Sequence, residues 1–353
     1  MQLTTRDTDL PPRFARGAAR RAPGGILLAA LLVLTCACAK PLPPVNRAGL
    51  ARFEPPDTSI LLIVGQDLGT IEDYSRRVDS TSAGVMVYTS LNRLEGLTAP
   101  SDLGSGIQDF SALARNYPGR IIQIGLWMGH DCRNIALGMR DPNIHRLAKV
   151  LKQANCPIFL RVGYEFDNPG FGYPPEVYVP AYRRLVDFFR KDGVTNVAFV
   201  WHSYASSVNQ PYEDWYPGDT YVDWCAISFF SRGEKSEATD IAAFARKHHK
   251  PLMIAEATPY NIRIPQDRDN AWYMWYQPFF EFVHREKVKA VCYINSNWDA
   301  QPMWKGQLWG DARVQADSTV RALWLKETRR LEYVHVSSDL YRQIGFEPAQ
   351  KKN

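Results

Sequence analysis

The sequence predicts a single-domain (β/α)8 barrel. Eight short apolar runs, of the kind that form strands buried on both faces, recur between residues 58 and 330. Segments with helical spacing separate most of these runs, and strands that alternate with helices favour a parallel sheet closed into a barrel. The alternative is an open doubly wound sheet. It is weakened because no glycine-rich dinucleotide or phosphate loop follows any of the strands.

The predicted strands follow one another at regular positions along the chain. They occupy residues 59–65, 84–89, 120–127, 158–165, 196–202, 222–230, 251–256 and 288–295. The predicted helices occupy residues 107–116, 141–153, 174–189, 238–249, 269–286 and 312–330. Residues 331–353 form a polar C-terminal tail, in which residues 332–336 predict an additional edge strand.

The N-terminal residues 1–37 have the features of a targeting segment. Four arginines between residues 13 and 21 precede a short apolar run, Ile26–Val33, which is too short for a permanent transmembrane helix. The following residues, Leu34–Cys38, resemble a bacterial lipobox, and Cys38 is the predicted lipidation site because Ala37 precedes it. An ordinary cleaved signal peptide is the alternative. Residues 38–57 are rich in proline and predict an extended tether.

This organisation predicts an exported lipoprotein, anchored to a membrane and exposed to the periplasm or the cell surface. The net charge of +5 is concentrated at the N-terminus, where residues 1–37 carry five Arg and two Asp. No Lys/Arg block occurs in the globular part, so nucleic acid is not an expected partner. The remaining cysteines are predicted to be buried free thiols, and neither their spacing nor any other motif indicates a metal or a cofactor: Cys132, Cys156, Cys225 and Cys292.

Two glutamates stand at the ends of predicted strands, where the active sites of barrels lie. Glu165 ends the fourth strand and Glu256 ends the seventh, so a barrel places them across its mouth from each other. Two carboxyl groups facing each other over an aromatic-lined cleft suit cleavage of a glycosidic bond, with one as general acid and the other as nucleophile or base. Salt-bridged structural carboxylates are the alternative interpretation. Arg161 has the same strand parity as Glu165 and is predicted to lie inside the barrel, below the mouth.

The segment Arg161–Glu165 resembles the strand-four motif of glycoside hydrolase family 26, and Lys250–Glu256 resembles its strand-seven nucleophile motif. The resemblance covers roughly residues 57–330. It implies a retaining, endo-acting hydrolase of a β-linked polysaccharide of mannan, xylan or glucan type. Glu165 would then be the acid/base and Glu256 the nucleophile. Burial is expected to keep Glu165 protonated, while Arg161 favours the ionised form of Glu256.

The resemblance and the strand ends together give a set of candidate substrate-binding residues. Trp298 is the candidate platform for the sugar at the cleavage point. Two residues depart from the family pattern, since Tyr164 replaces a common His and Phe230 replaces a common Tyr. These departures leave open a glycan-binding envelope lipoprotein with weak or no hydrolysis. The candidates, in an enzyme expected to be a monomer, are Arg161, Tyr164, Trp127, His202, Phe230, Trp298, Tyr260, Asn168 and Asp67.

Overall fold

The computed structural model describes residues 47–56, 58–205, 210–231 and 236–349. The predicted signal segment and half of the predicted tether, namely residues 38–46 with Cys38 and residue 57, lie outside these residues. Eight strands form the barrel and a ninth joins its outside. They are β1 Ile60–Gly65, β2 Gly84–Ser90, β3 Ile121–Trp127, β4 Ile158–Val162, β5 Val197–Ser203, β6 Trp224–Phe229, β7 Leu252–Ala257, β8 Ala290–Ile294 and β9 Tyr333–Val334.

All eight barrel strands are parallel to their neighbours, and the sheet closes on itself. The closing pair is β8 with β1, in a register that places Leu61 beside Ala290. Closure confirms the predicted (β/α)8 barrel and excludes the open doubly wound sheet. The predicted edge strand is also confirmed, because β9 pairs with β1 through Ile60 and Tyr333.

The strands read as continuous apolar runs because each of their faces is covered. On β1, Leu61 and Ile63 point into the barrel, while Leu62 and Val64 pack against the helices outside. All four side chains are almost completely removed from water. Two-sided burial of this kind is what parallel sheets with helices around them require.

The helices surround the barrel between the strands. They are α1 Leu68–Arg77, α2 Phe110–Asn116, α3 Cys132–Ala136, α4 Asp141–Gln153, α5 Pro175–Lys191, α6 Ser236–Lys247, α7 Ile264–Asp267, α8 Asp269–Ala271, α9 Gln277–Arg285, α10 Ser318–Thr328 and α11 Leu340–Gln343. The predicted helix over 269–286 is not uniform, because a π-helical turn, Trp272–Tyr276, lies between α8 and α9. Pro278 in the first turn of α9 has no N–H to donate, which interrupts the regular pattern of hydrogen bonds there.

The lower end of the barrel, where the strands begin, is closed by segments from both ends of the described chain. Phe53 packs edge-to-face against Phe159 inside the barrel and against Phe346 of the C-terminal segment, with centroid distances of 6.3 and 5.8 Å. Leu340 and Ile344 belong to the same buried cluster. The end at which the strands finish is therefore the open end of the barrel.

The four cysteines of the described chain are buried free thiols, as predicted. None of the helices in the described ranges has both the length and the apolar character needed to cross a bilayer.

Candidate active site

A cavity of about 400 Å³ opens at the mouth of the barrel, and both candidate glutamates line it. Its wall is mostly aromatic. The lining residues are Gln66, Tyr88, Leu103, Ser105, Tyr164, Glu165, Asn168, Phe171, Tyr204, Phe230, Glu256, Trp298, Met303, Trp304 and Trp309.

Glu165 reaches the cavity through a tight turn and not as part of a strand. Strand β4 ends at Val162, and both Gly163 and Glu165 have left-handed backbone angles, with φ of +56° and +53°. Hydrogen bonds from Gly163 N to Leu126 O at 3.0 Å and from Phe166 N to His202 O at 3.0 Å fix this turn to the neighbouring strands. A non-glycine residue with this φ is uncommon and is held in place by its surroundings.

The carboxyl group of Glu165 is buried and its hydrogen-bond donors are uncharged. Ser228 Oγ donates to Oε1 at 2.6 Å, and Asn168 Nδ2 donates to Oε2 at 3.0 Å. Burial, followed by the nearby charge of Glu256, raises the pKa of Glu165 to about 8, although both donors and Arg161 act in the opposite direction. Glu165 is therefore protonated at neutral pH, as a general acid must be.

Glu256 is directed into the barrel by a β-bulge in β7. Ile254 lies beside Ile227, but the next residue of β6, Ser228, lies beside Glu256, so Ala255 is an extra residue. Ala255 belongs to the interior cluster, and strict alternation would send the next side chain outward. The bulge allows both consecutive side chains to point inward, which brings Glu256 to the cavity.

The partner of Glu256 is Arg161, whose guanidinium Nη1 donates to Oε1 of the carboxylate. The Arg161 side chain is fully buried and lies between the rings of Tyr88 and Tyr164, at 5.1 and 5.2 Å from their centroids. Burial alone would lower the pKa of Arg161, but Glu256 and Tyr88 outweigh it and raise that pKa. Glu256 is therefore paired with a buried, permanent cation, whereas the partners of Glu165 are neutral.

His202 and Ser228 connect the two glutamate sites below the cavity. His202 Nδ1 is 3.3 Å from Arg161 Nη1, and its Nε2 is 3.1 Å from Ser228 Oγ. Burial, with a further contribution from the charge of Arg161, holds the pKa of His202 well below its ordinary value. The imidazole is consequently neutral at neutral pH.

Three tryptophans from the segment after β8 form one wall of the cavity. Trp298 is buried, and its Nε1 donates to Thr258 Oγ1 at 3.0 Å. Trp309 is tilted against it with a centroid distance of 5.2 Å, and Trp304 is perpendicular to it at 5.4 Å. A two-stranded hairpin, Ser101–Asp102 with Ile107–Gln108, contributes Leu103 and Ser105 to the same cavity. Flat aromatic faces beside two carboxyl groups suit a sugar ring.

Comparisons with known proteins identify the family of the chain. Residues 134–294 match the model of glycosyl hydrolase family 26. A beta-1,3-xylanase of a Vibrio species is 31% identical over 318 residues, which span 82% of this chain and 69% of that protein. A beta-1,3-xylanase of an Alcaligenes species is 30% identical over 82% of this chain and 68% of its own length.

The chain belongs to glycosyl hydrolase family 26. It is therefore a glycoside hydrolase of β-linked polysaccharide, and the sequence-based prediction of this activity is confirmed. A solved structure of a family 26 beta-mannanase from Bacteroides ovatus superposes with a TM-score of 0.59, at 16% identity, over 80% of this chain and 93% of the mannanase. The family 26 protein GH26C from a Muricauda species gives a TM-score of 0.58 at 13% identity, over 83% of this chain and 91% of that protein. These two structural similarities are evidence for the fold alone.

Six of the candidate substrate-binding residues of this family 26 enzyme lie at or directly below the cavity. Four of them line it: Tyr164, Asn168, Phe230 and Trp298. Arg161 and His202 are completely buried below it and do not line it. Arg161 binds Glu256, and His202 lies against Arg161 and Ser228, so the structure places these two candidates beneath the cavity.

The other three candidates lie outside the cavity lining, each for a structural reason. Asp67 is the N-cap of α1, where its carboxylate accepts hydrogen bonds from Gly69 N and Thr70 N at 2.9 and 3.1 Å. Trp127 packs edge-to-face on Phe171, with centroids 4.7 Å apart, and lines a separate depression. Tyr260 packs against the outside of Trp309, at 5.0 Å.

Several site residues carry no recognisable signal of their role in the sequence. Trp304 and Trp309 follow β8 by ten residues or more, in a segment without a regular pattern. Gln66 directly precedes the candidate Asp67 and lines the cavity, and its buried Nε2 has no hydrogen-bond partner among the described residues. Ser228 lies at a predicted strand end, but only the inward face of β6 explains its contact with Glu165.

Proposed function

We propose that this family 26 enzyme is an endo-acting, retaining β-glycanase in which Glu165 is the acid/base and Glu256 is the nucleophile. The observation that carries the proposal is the unequal environment of the two carboxyl groups in one cavity. Glu165 has uncharged donors and a pKa raised to about 8, whereas Glu256 is paired with the buried cation of Arg161. A pair of carboxyl groups with separated ionisation is what acid-assisted nucleophilic displacement requires.

The proposed reaction has two steps. In the first, Glu256 attacks the anomeric carbon, the glycosidic C–O bond breaks, and the leaving oxygen keeps the electron pair and takes the proton of Glu165. In the second, Glu165, now a carboxylate, accepts a proton from water as the water oxygen displaces Glu256 from the anomeric carbon. The second step returns both glutamates to their starting states.

We propose β-1,3-xylan as the substrate class. The two relatives that are 30–31% identical over 82% of this chain are beta-1,3-xylanases. The mannanase named above is only 16% identical, so it supports the fold and not the substrate. Phe230 is also compatible with a substrate other than mannan, because it replaces the Tyr that the family commonly places at this strand end.

The substrate is tested by release of reducing sugar from β-1,3-xylan, β-1,4-xylan, β-1,4-mannan and mixed-linkage β-glucan. We expect β-1,3-xylan to be hydrolysed fastest, and E165Q and E256Q to lower kcat by about 10³-fold or more. E176Q, at an exposed position in the first turn of α5, is the matched control and should behave as wild type. Binding of a polysaccharide without release of sugar from any of the four would favour a glycan-binding protein instead.

The stereochemistry is tested by NMR of the products in the first minutes of hydrolysis. A retaining enzyme releases the β-anomer first, and the α-anomer appears only by mutarotation. With an aryl β-xylobioside, azide should rescue E165A and give the β-azide. It should rescue E256A, in which no covalent intermediate can form on the enzyme, to give the α-azide. Initial release of the α-anomer by wild type would contradict the retaining mechanism.

We further propose that the enzyme is exported and anchored by a lipid on Cys38. The support is the sequence alone, with the basic N-terminal segment, the apolar run and the lipobox-like Leu34–Cys38. Expression in a bacterium with a clickable fatty acid should label the wild-type chain and C36S, but not C38S. Equal labelling of C38S would contradict the assignment, and labelling of none of the three would favour an ordinary cleaved signal peptide.

A further inference from the structure

A relay of three buried side chains, Arg161, His202 and Ser228, links Glu256 to Glu165 from below. Arg161 Nη1 faces His202 Nδ1 at 3.3 Å, His202 Nε2 faces Ser228 Oγ at 3.1 Å, and Ser228 Oγ faces Glu165 Oε1 at 2.6 Å. Arg161 and His202 are fully inaccessible to water, and Ser228 and Glu165 are each 5% exposed.

The chemistry of Arg161 sets the direction of every hydrogen bond in the relay. A guanidinium only donates, so Nδ1 of the neutral His202 must accept and its Nε2 must carry the proton. Nε2 then donates to Ser228 Oγ. The single hydroxyl proton of Ser228 is left to point at Glu165, which makes Oε1 an acceptor.

This direction has a consequence for a protonated carboxyl group, which has one carbonyl oxygen and one hydroxyl oxygen. The carbonyl oxygen of a carboxylic acid is a stronger acceptor than its hydroxyl oxygen. The shorter of the two bonds, at 2.6 Å from Ser228, therefore favours the carbonyl role for Oε1, and the proton belongs on Oε2. Oε2 already accepts from Asn168 Nδ2 at 3.0 Å, and a hydroxyl oxygen retains lone pairs that accept such a bond while it donates elsewhere.

We propose that Ser228 is a positioning residue for the acid, and that its hydroxyl, oriented by His202, keeps Oε1 of Glu165 as an acceptor so that the transferable proton resides on Oε2. The inference rests on the proposed role of Glu165. In this proposal Ser228 and His202 orient the carboxyl group of Glu165. Neither residue does so by contacting a sugar, because Ser228 lies outside the cavity lining and His202 is fully buried.

The test compares two substrates that differ in their need for a proton. A β-1,3-xylooligosaccharide has a poor leaving group and requires the acid, whereas a dinitrophenyl β-xylobioside leaves without protonation. For S228A we expect kcat/KM to fall about 10- to 100-fold on the oligosaccharide and less than about 3-fold on the dinitrophenyl glycoside. S228T, which keeps the hydroxyl, should recover most of the loss.

Ser203 offers a matched control. It is a fully buried serine on the adjacent strand β5, and its hydroxyl donates to Asp167 Oδ2 at 2.8 Å instead of to Glu165. S203A should lower stability without distinguishing between the two substrates. If S228A does not fold, S228C carries the same comparison, since its larger thiol fills the site and is only a weak donor.

The pH dependence of kcat/KM gives a second readout. The Ser228 hydroxyl favours the ionised form of Glu165, so its loss should move the alkaline limb of the profile to higher pH. An equal loss on both substrates with an unmoved alkaline limb would indicate a structural role and overturn the inference. If E165Q itself retains activity on the oligosaccharide, the assignment of the acid is wrong, and that result is separate from any result with S228A.

Discussion

Arg161 precedes Glu165 by four residues, yet its guanidinium binds Glu256, the carboxylate of a strand three positions further around the barrel. The fixed cation thereby lies against Glu256, and Glu165 is left with the uncharged donors Ser228 and Asn168. Two carboxyl groups in one cavity would otherwise compete for the same proton. This single pairing therefore underlies the proposed division of roles.

Removal of the buried cation should destabilise the protein strongly. In R161M the carboxylate of Glu256 loses its charged partner, and breaking a buried ion pair on one side costs about 3–5 kcal/mol. R184M is the matched control, because Arg184 forms an ion pair with Asp141 at the surface, at 2.6 Å, where such pairs contribute about 0–1 kcal/mol. Urea unfolding at pH 7 measures both free energies, and an equal loss in the two variants would contradict the assigned role of Arg161.

The raised pKa of Glu165 should make stability depend on pH. The folded state holds this proton up to about pH 8, whereas the unfolded state releases it near the ordinary value of 4.5. The stability that the bound proton contributes is present below pH 4.5 and is lost as the pH rises to about 8. E165Q carries no such proton, so its melting temperature relative to wild type should be higher at pH 8.5 than at pH 5.5. The same difference at both pH values would show that Glu165 is not held protonated.

The tryptophan wall should contribute to substrate affinity. W304A removes a half-buried indole that lines the cavity and packs against Trp298, so we expect KM to rise several-fold, equivalent to about 1 kcal/mol, with a smaller change in kcat. Trp272 is also partly buried, but it stacks on Tyr276 between α8 and α9 and lies outside the cavity lining. W272A should leave KM unchanged. A rise in KM for W272A as large as that for W304A would show that the effect is not local.

The helix cap at Asp67 should contribute to stability and not to substrate binding. D67A removes the acceptor for Gly69 N and Thr70 N, a loss worth about 0.5–2 kcal/mol. Asp317 caps α10 with the same two contacts, to Thr319 N and Val320 N, so D317A should cost a similar amount. Both variants should keep KM within about twofold of wild type. A larger rise in KM for D67A alone would restore the interpretation of Asp67 as a ligand.

Much of the fold was predictable because two-sided burial leaves a direct trace in the sequence. The eight apolar runs appear as strands within a few residues of their expected bounds, and the edge strand at Tyr333–Val334 is present. The end of β4 was less predictable. The run was expected to continue to Glu165, but the left-handed turn at Gly163 ends the strand at Val162.

The sequence by itself determined that Glu165 and Glu256 stand at the ends of buried strands, since apolar runs that finish in a carboxyl group indicate the mouth of a barrel. Only the tertiary structure decided how these groups face the cavity and which partners they have. Regular alternation along β7 would turn Glu256 outward. The bulge at Ala255 arises from pairing with β6, and the local sequence of β7 does not indicate that pairing. Likewise, the contact of Ser228 with Glu165 joins residues 63 positions apart, and only closure of the barrel brings them together.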